Sequence, residues 1–275
     1  MAGRLEGRRA LVTGAGRGIG AQIARRFRDE GAQVLINDLD RVSAEKLAAE
    51  VGGSAFACDV SDPDAVARMF EEIAAGGEGL DVLVNNAGIS GMETNPERAA
   101  EHAERMARQA EELARGGPIQ THMDATVELS NEDWRRMLAV HLDGTFFCSR
   151  EALRIMGPAL AGCIINMGSI MGTAGGAGAP HYCAAKAGIL GLTRSLAREV
   201  VTRQIRVNAI APGWIDTDMV APLGDARALI ALQTPMHRLG EADDIAWAAV
   251  YLASDEAKFV TGQVLSPNGG WIMNQ

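Results

Sequence analysis

The chain lacks the means to cross-link itself, to enter a membrane as a helix or to cover a polyanion. Its four cysteines, Cys58, Cys148, Cys163 and Cys183, are widely spaced with no C-x-x-C pair. Neither zinc-ligand spacing nor a disulfide framework is present, and isolated thiols of this kind fit a reducing cytoplasm, most of them as small buried hydrophobes. No apolar run approaches the ~18 residues of a membrane helix. Residues 1–9 are polar and basic, and the apolar stretch after them is too short for a secretory signal core. Positive charge is also short: 26 Lys and Arg against 35 Asp and Glu leave a formal net charge of −9. That argues against nucleic acid or an anionic membrane as partner. No charged or Pro/Ser-rich linker divides the 275 residues, so one domain spanning 1–275 is expected.

What is present is an alternation. At 47% hydrophobic and 22% charged residues, the composition is that of an ordinary folded protein. Short β-branched runs predict strands at 10–13, 33–37, 54–57, 81–85, 163–167, 206–210 and 263–266. Longer stretches predict helices near 20–30, 43–51, 64–74, 131–156, 182–201 and 243–252, with Ser61-Asp62-Pro63 and Ser130 marking two starts. Near-continuous apolar strands are buried on both faces. The expected class is therefore α/β: a Rossmann-type doubly wound parallel sheet of about seven strands with helices on both faces.

Residues 92–122 break the rhythm as a helical insertion. Within it, 96–115 predicts a helix carrying Ala99, Ala103, Met106, Ala107, Ala110, Leu113 and Ala114 on one face. Glu101–Arg105, Glu104–Arg108 and Glu111–Arg115 form i,i+4 pairs, and Gly116-Gly117-Pro118 ends the helix. Such a helix can roof a pocket, extend a subunit contact or be inert.

Thr13-Gly14-Ala15-Gly16-Arg17-Gly18-Ile19-Gly20 follows the first strand and opens the first helix. Glycines there let the backbone approach a pyrophosphate, which free helix N–H groups stabilise. Asp38 follows the second strand, about 20 residues further on, where a carboxylate accepts from the adenine-ribose hydroxyls and repels a 2′-phosphate. NAD is expected, with NADP less favoured. Arg17 pulls the other way, since it could pair with that phosphate or could simply be a solvated turn residue.

The glycine turn at 13–20, Asn85-Asn86-Ala87-Gly88, Ser169, Tyr182-x-x-x-Lys186, Asn208 and Pro212-Gly213 fall in one order. In that series the chain resembles the short-chain dehydrogenase/reductase family from about residue 5 to 273, the 92–122 stretch excepted. Its tail, Arg238-Leu239-Gly240-Glu241 through Gly269-Gly270, is most similar to the 3-oxoacyl reductase branch and its secondary alcohol dehydrogenase relatives. The resemblance implies hydride transfer between a nicotinamide cofactor and a carbonyl/alcohol pair.

The residues support that chemistry directly. Tyr182 and Lys186 lie four apart on one helix face. A free tyrosine titrates near 10 and is a poor base at neutrality. An ammonium ~4 Å away at an effective dielectric near 20 contributes roughly 4 kcal/mol, about three pKa units, against which desolvation works. The pair is expected to bring Tyr182 into general acid/base range, while the Ser169 hydroxyl stabilises the substrate oxygen. The family carries a V-N-x-x-G asparagine in the helix before the serine strand. Here the segment reads Val140-His141-Leu142-Asp143-Gly144, so His141 stands in its place, either as a relay group or as a structural residue.

By resemblance, Gly14, Arg17, Gly18, Ile19 and Gly20 hold the pyrophosphate, and Asp59 and Val60 lie near the adenine. Asn86, Ala87 and Gly88 line the adenosine side, Lys186 bonds the nicotinamide ribose beside Tyr182, and Ile215 and Thr217 after Pro212-Gly213 face the carboxamide. Asn208 is expected to support the sheet. Residues 214–238 occupy the place of a substrate lid, with Met219, Val220, Leu223, Leu229 and Leu232 as its apolar face. Small residues fill 172–179, and no arginine cluster converges there. An uncharged carbonyl substrate is expected. Three readings stand: an NAD-dependent secondary alcohol dehydrogenase or ketone reductase, an NADPH-dependent 3-oxoacyl thioester reductase, and a non-catalytic NAD-binding sensor. The intact Ser169, Tyr182 and Lys186 set argues against the sensor. The family further implies a cytoplasmic homotetramer, packed through 131–156, 182–201 and the C-terminal strands, and no metal.

Overall fold

The structure is a computed structural model that describes residues 3–91, 96–224 and 226–273, without the side chains of 96–99, 102, 103 and 222. Seven short strands pair in parallel: β1 (Arg9–Val12), β2 (Gln33–Asp38), β3 (Ser54–Ala57), β4 (Val82–Asn85), β5 (Gly162–Met167), β6 (Ile205–Ile210) and β7 (Val264–Leu265). Their order is β3-β2-β1-β4-β5-β6-β7. The chain winds outward through β3, then returns to lay β4 beside β1. That reversal opens a crevice at the strands' C-terminal ends, the usual ligand position in such sheets.

Each central strand feeds two cores, because successive side chains point to opposite faces. Val12, Ile36, Val84 and Ile165 pack with Phe27 on one side. Leu11, Leu35, Leu83 and Ile164 pack with Phe70 and Met156 on the other. Around the sheet lie α1 (Gly18–Asp29), α2 (Arg41–Val51), α3 (Pro63–Ala75), α4 (Pro96–Ala114), α5 (Ala125–Glu128) and α6 (Asn131–Leu138). They are followed by α7 (Gly144–Ala159), α8 (Ile170–Thr173), α9 (Pro180–Val200), α10 (Ala226–Gln233) and α11 (Ala242–Ala253). Asp62 caps α3 with Pro63 in its first turn, and the Ser130 hydroxyl accepts from the Asp133 N–H to start α6. Among the described residues no helix is long and apolar enough to cross a membrane. Cys58, Cys148 and Cys163 are buried and every thiol is pushed up by burial, Cys58 to about 11, which makes them packing groups.

Three expectations change. The single helix expected at 131–156 is divided by a π turn, Ala139–Asp143, between α6 and α7. Gly144 presses on Val60, where a Cβ would lie 2.9 Å from Val60 Cγ2, and the Thr145 hydroxyl donates to the His141 carbonyl at 2.6 Å. Helix α10 arises inside the expected lid, where no helix is predicted. Finally, α4 forms but rests on its polar side. Met106 and Leu113 are 57% and 67% exposed, whereas Arg105, Gln109 and Glu112 face the chain. Ala99 and Ala103 lie outside the described side chains. Glu104–Arg108 and Glu111–Arg115 pair as expected, but Arg105 turns to Glu128 at 2.8 Å instead of Glu101.

Candidate active site

The glycine turn is built as a cradle. Gly14 has φ +58°, and a Cβ there would lie 2.6 Å from Ala87 Cα. A Cβ on Gly20 would lie 2.4 Å from Asn86 Nδ2. The Asn86 amide donates to the carbonyls of Thr13 (3.0 Å) and Gly14 (2.9 Å), while the Thr13 hydroxyl accepts from the N–H groups of Asn86 and Ala87. The Asn86 side chain therefore braces the turn. Helix α1 begins after Arg17 with no side-chain cap and no acidic residue in its first turn. Its first N–H groups, around Gly18, Ile19 and Gly20, suit an anion. Thr217 Cγ2 stands 3.8 Å from the Cβ position of Gly18, which encloses the turn from the far side.

Asp38 ends β2 beside this turn. One carboxylate oxygen accepts from the Gly16 N–H at 2.8 Å and the other from the Asp40 N–H at 3.0 Å. A carboxylate offers about four lone-pair sites, so capacity remains for ribose hydroxyls. Arg17 is exposed. Asp59 is occupied by Ser61 at the start of the next turn, and Val60 is buried. These residues fit a dinucleotide: a glycine cradle no side chain could replace, an uncapped helix start and an acceptor at the ribose position.

The chemical groups collect at the neighbouring strand ends. Ser169 follows β5 in extended conformation (φ −169°), and its hydroxyl accepts from the Met171 N–H, capping the single turn α8. The Ile170 N–H donates to the Pro212 carbonyl at 3.1 Å, which brings the Pro212-Gly213 turn against the serine. Tyr182 stands in the first turn of α9 with Lys186 one turn on. Below them, the Asn85 amide donates to Ser149 (2.9 Å) and to Asn166 (2.8 Å), and Asn166 donates to Thr193 (2.9 Å). This buried polar column joins β4, α7, β5 and α9, fixing the helix that carries Tyr182 against the strand that carries Ser169.

Electrostatics here departs from the expected Tyr182 depression. Burial pushes the Tyr182 phenol up to about 12, with a hydrogen bond to Ser169 pulling the other way. Burial brings Lys186 down to about 7. Its Nζ donates to the Met167 carbonyl at 2.7 Å and lies 5.6 Å from the centre of the Tyr182 ring. Burial dominates at both groups, and the Lys186 ammonium is turned to a backbone carbonyl.

His141 lies in the π turn, almost fully buried, with its ring edge-to-face on Tyr182 at 5.3 Å. Its Nε2 is within bonding distance of the Ile89 backbone, 3.1 Å from N and 2.9 Å from O, while the buried Nδ1 has no partner. Burial, then the Lys186 charge, hold the imidazole well below its usual range, and so neutral. Gly88 makes room for it: a Cβ there would lie 2.4 Å from His141 Cε1. Ile215 differs from expectation. Its side chain is buried in the core against Gly240. Asn208 bonds Val260 and Gln263, as a sheet support does.

Two contributors have no sequence signal strong enough to find them. Asn268 folds the C-terminal turn by bonding Ser266, Gly270 and Ile272, and presses on Gly213, whose Cβ would lie 2.7 Å from Asn268 Cα. Trp214 and Trp271 meet edge-to-face at 6.3 Å beside that turn.

Comparison with known proteins agrees with this geometry. Residues 8–111 match the family model described as short chain dehydrogenase, and residues 113–272 match the one described as Enoyl-(Acyl carrier protein) reductase. The chain is 38% identical over 271 residues to the 3-oxoacyl-[acyl-carrier-protein] reductase FabG of Escherichia coli (strain K12), covering 98% of each chain. It is 37% identical over 272 residues to the protein of the same name from Vibrio cholerae, with 98% of this chain and 99% of that one covered. Nodulation protein G of Rhizobium sp. (strain N33) is 38% identical over 272 residues, with 98% of each covered. With a seven-stranded parallel sheet, a glycine cradle at its switch point and the serine, tyrosine and lysine gathered beside it, the chain belongs to the short-chain dehydrogenase/reductase family of oxidoreductases acting on CH–OH groups.

Proposed function

We propose that this chain transfers a hydride between NAD(H) and a secondary alcohol or ketone, with Tyr182 as the general acid/base. The observation that carries the reading is Ser169 placed beside Tyr182 with buried Lys186 one turn further along α9, all at the crevice that holds the glycine cradle. A bound nicotinamide supplies the hydride or accepts it. Ser169 holds the substrate oxygen and stabilises its developing charge. Tyr182 delivers a proton to that oxygen in reduction and takes one back in oxidation. A phenol held up at about 12 favours the acid role. Lys186 would hold the cofactor ribose, and its positive charge beside Tyr182 would favour the phenolate in the oxidative direction. The unpartnered Nδ1 of His141 provides a station for a water on the proton's way to solvent.

Asp38 supports NAD over NADP, because a 2′-phosphate would meet a carboxylate already fixed against the turn. Small residues and the absence of an arginine cluster support an uncharged substrate. The similarity to 3-oxoacyl reductases favours a second reading, reduction of 3-oxoacyl thioesters. Assaying a panel of ketones and 3-oxoacyl thioesters with both cofactors tests the two together. The expected outcome is a kcat/KM at least about tenfold higher with NADH, consistent with one unfavourable charge contact, and higher for ketones. Equal efficiency with NADPH would remove the NAD assignment, and preferential thioester turnover would replace the substrate class.

A further inference from the structure

The segment between β4 and α6 meets the N-terminal end of α9 both where it departs and where it returns. At its departure, a Cβ on Gly91 would lie 2.9 Å from Met137 Cε and 3.2 Å from His181 Nε2. At its return, Met123 Cε stands 3.6 Å from the Cβ position of Gly178, a glycine at φ +87°. His181 and Gly178 flank the start of α9, which carries Tyr182. Met123 therefore stands against the 172–179 loop just before the helix that carries Tyr182.

Helix α4 splints that return. Arg105 donates to the Met123 carbonyl at 3.0 Å and pairs with Glu128 at 2.8 Å. Gln109 donates to the Thr121 carbonyl at 2.7 Å. Glu112 accepts from the Gln120 N–H, the Thr121 N–H and the Thr121 hydroxyl at 2.7, 3.0 and 2.7 Å. Those bonds hold its carboxyl below the usual range. Asp124 follows in the left-handed region (φ +49°), and Ala125 is buried. The polar side of α4 is thus spent on fixing residues 120–128, which explains why its apolar side faces outward. Opposite Met123, residues 172–179 carry no charge and no side chain larger than threonine.

We propose that Met123 is the outer wall of the substrate pocket and sets the size of the apolar substituent a ketone can carry on the side away from Tyr182. The proposal rests on the ketone-reductase reading above. An unbranched thioether against a glycine-rich loop admits a compact apolar group and excludes a long one. A pocket of this kind discriminates by about tenfold or more per methylene that does not fit.

The test uses the full chain and a series of methyl ketones running from ethyl to octyl, with the octyl-to-ethyl ratio of kcat/KM as readout. Met123→Ala should raise that ratio about tenfold and Met123→Trp should lower it by a similar factor. Arg105→Ala, which frees the Met123 backbone, should move it in the same direction as Met123→Ala. Leu113→Ala, on the exposed side of α4, should leave it unchanged. Ratios within roughly twofold of the parent in both Met123 variants would overturn the proposal while ketone reduction stands. A parent chain that turns over no ketone with either cofactor would instead remove the functional reading, and this inference with it.

Discussion

Lys186 is an ammonium group placed where its charge is disfavoured. Its folded value near 7 lies below the ordinary 10.5 because burial withholds water from the charged form. Between about pH 7 and 10.5 the unfolded chain therefore holds a proton that the folded chain has released, and stability gains with pH across that window. Below pH 7 both states carry the proton, and the penalty is constant. Lys186→Met should be more stable than the parent at pH 7, with the difference shrinking toward pH 10 by up to about 1.4 kcal/mol per pH unit. Urea denaturation at several pH values measures this, and a pH-independent difference would contradict the assignment. The grouping of Tyr182 and Lys186 was legible in the sequence because they lie four apart on one helix within the motif series that resembles the family. Their proton affinities were not. A Coulomb argument needs the distance, the partner and the solvent exposure, and the fold sends Lys186 Nζ to Met167 and buries it.

At the scale of elements, period and capping located most helices and strands, while tertiary contacts decided the irregular pieces. The π turn at Ala139–Asp143 shifts a helix by one residue where Gly144 meets Val60, and no local pattern in 131–156 announces that contact. The turn is what aims His141 at Tyr182, and π turns recur at functional sites. His141→Ala is expected to lower kcat about tenfold to a hundredfold, within the range of a proton-transfer contribution, and to shift its pH profile. His141→Asn, which retains an amide able to hold a water, should recover part of both. Unchanged kcat and pH profile in His141→Ala would make the residue structural alone. For α4 the period does mark a helix, yet the described part of its apolar stripe, with Met106 and Leu113, does not face the chain. Amphipathicity reports that a face is apolar; the bonds from Arg105, Gln109 and Glu112 decide which face is used.

At the scale of the molecule, the sheet was the most legible feature, since strands buried on both faces leave few alternatives to a parallel, helix-covered arrangement. The crevice follows from that order alone: β1, β2, β4, β5 and β6 deliver the glycine turn, Asp38, Asn86, Ser169 and Pro212 to one end. Helix α10 escaped because eight residues give too little periodicity to separate a short helix from a lid loop. On the proposed function, this assembled end performs proton-coupled hydride transfer through Tyr182. That reading is tested most directly by measuring NADH-dependent ketone turnover and NADH binding in the parent and in Tyr182→Phe. The account predicts a kcat lower by about a hundredfold to ten-thousandfold with NADH still bound; turnover close to that of the parent would contradict it.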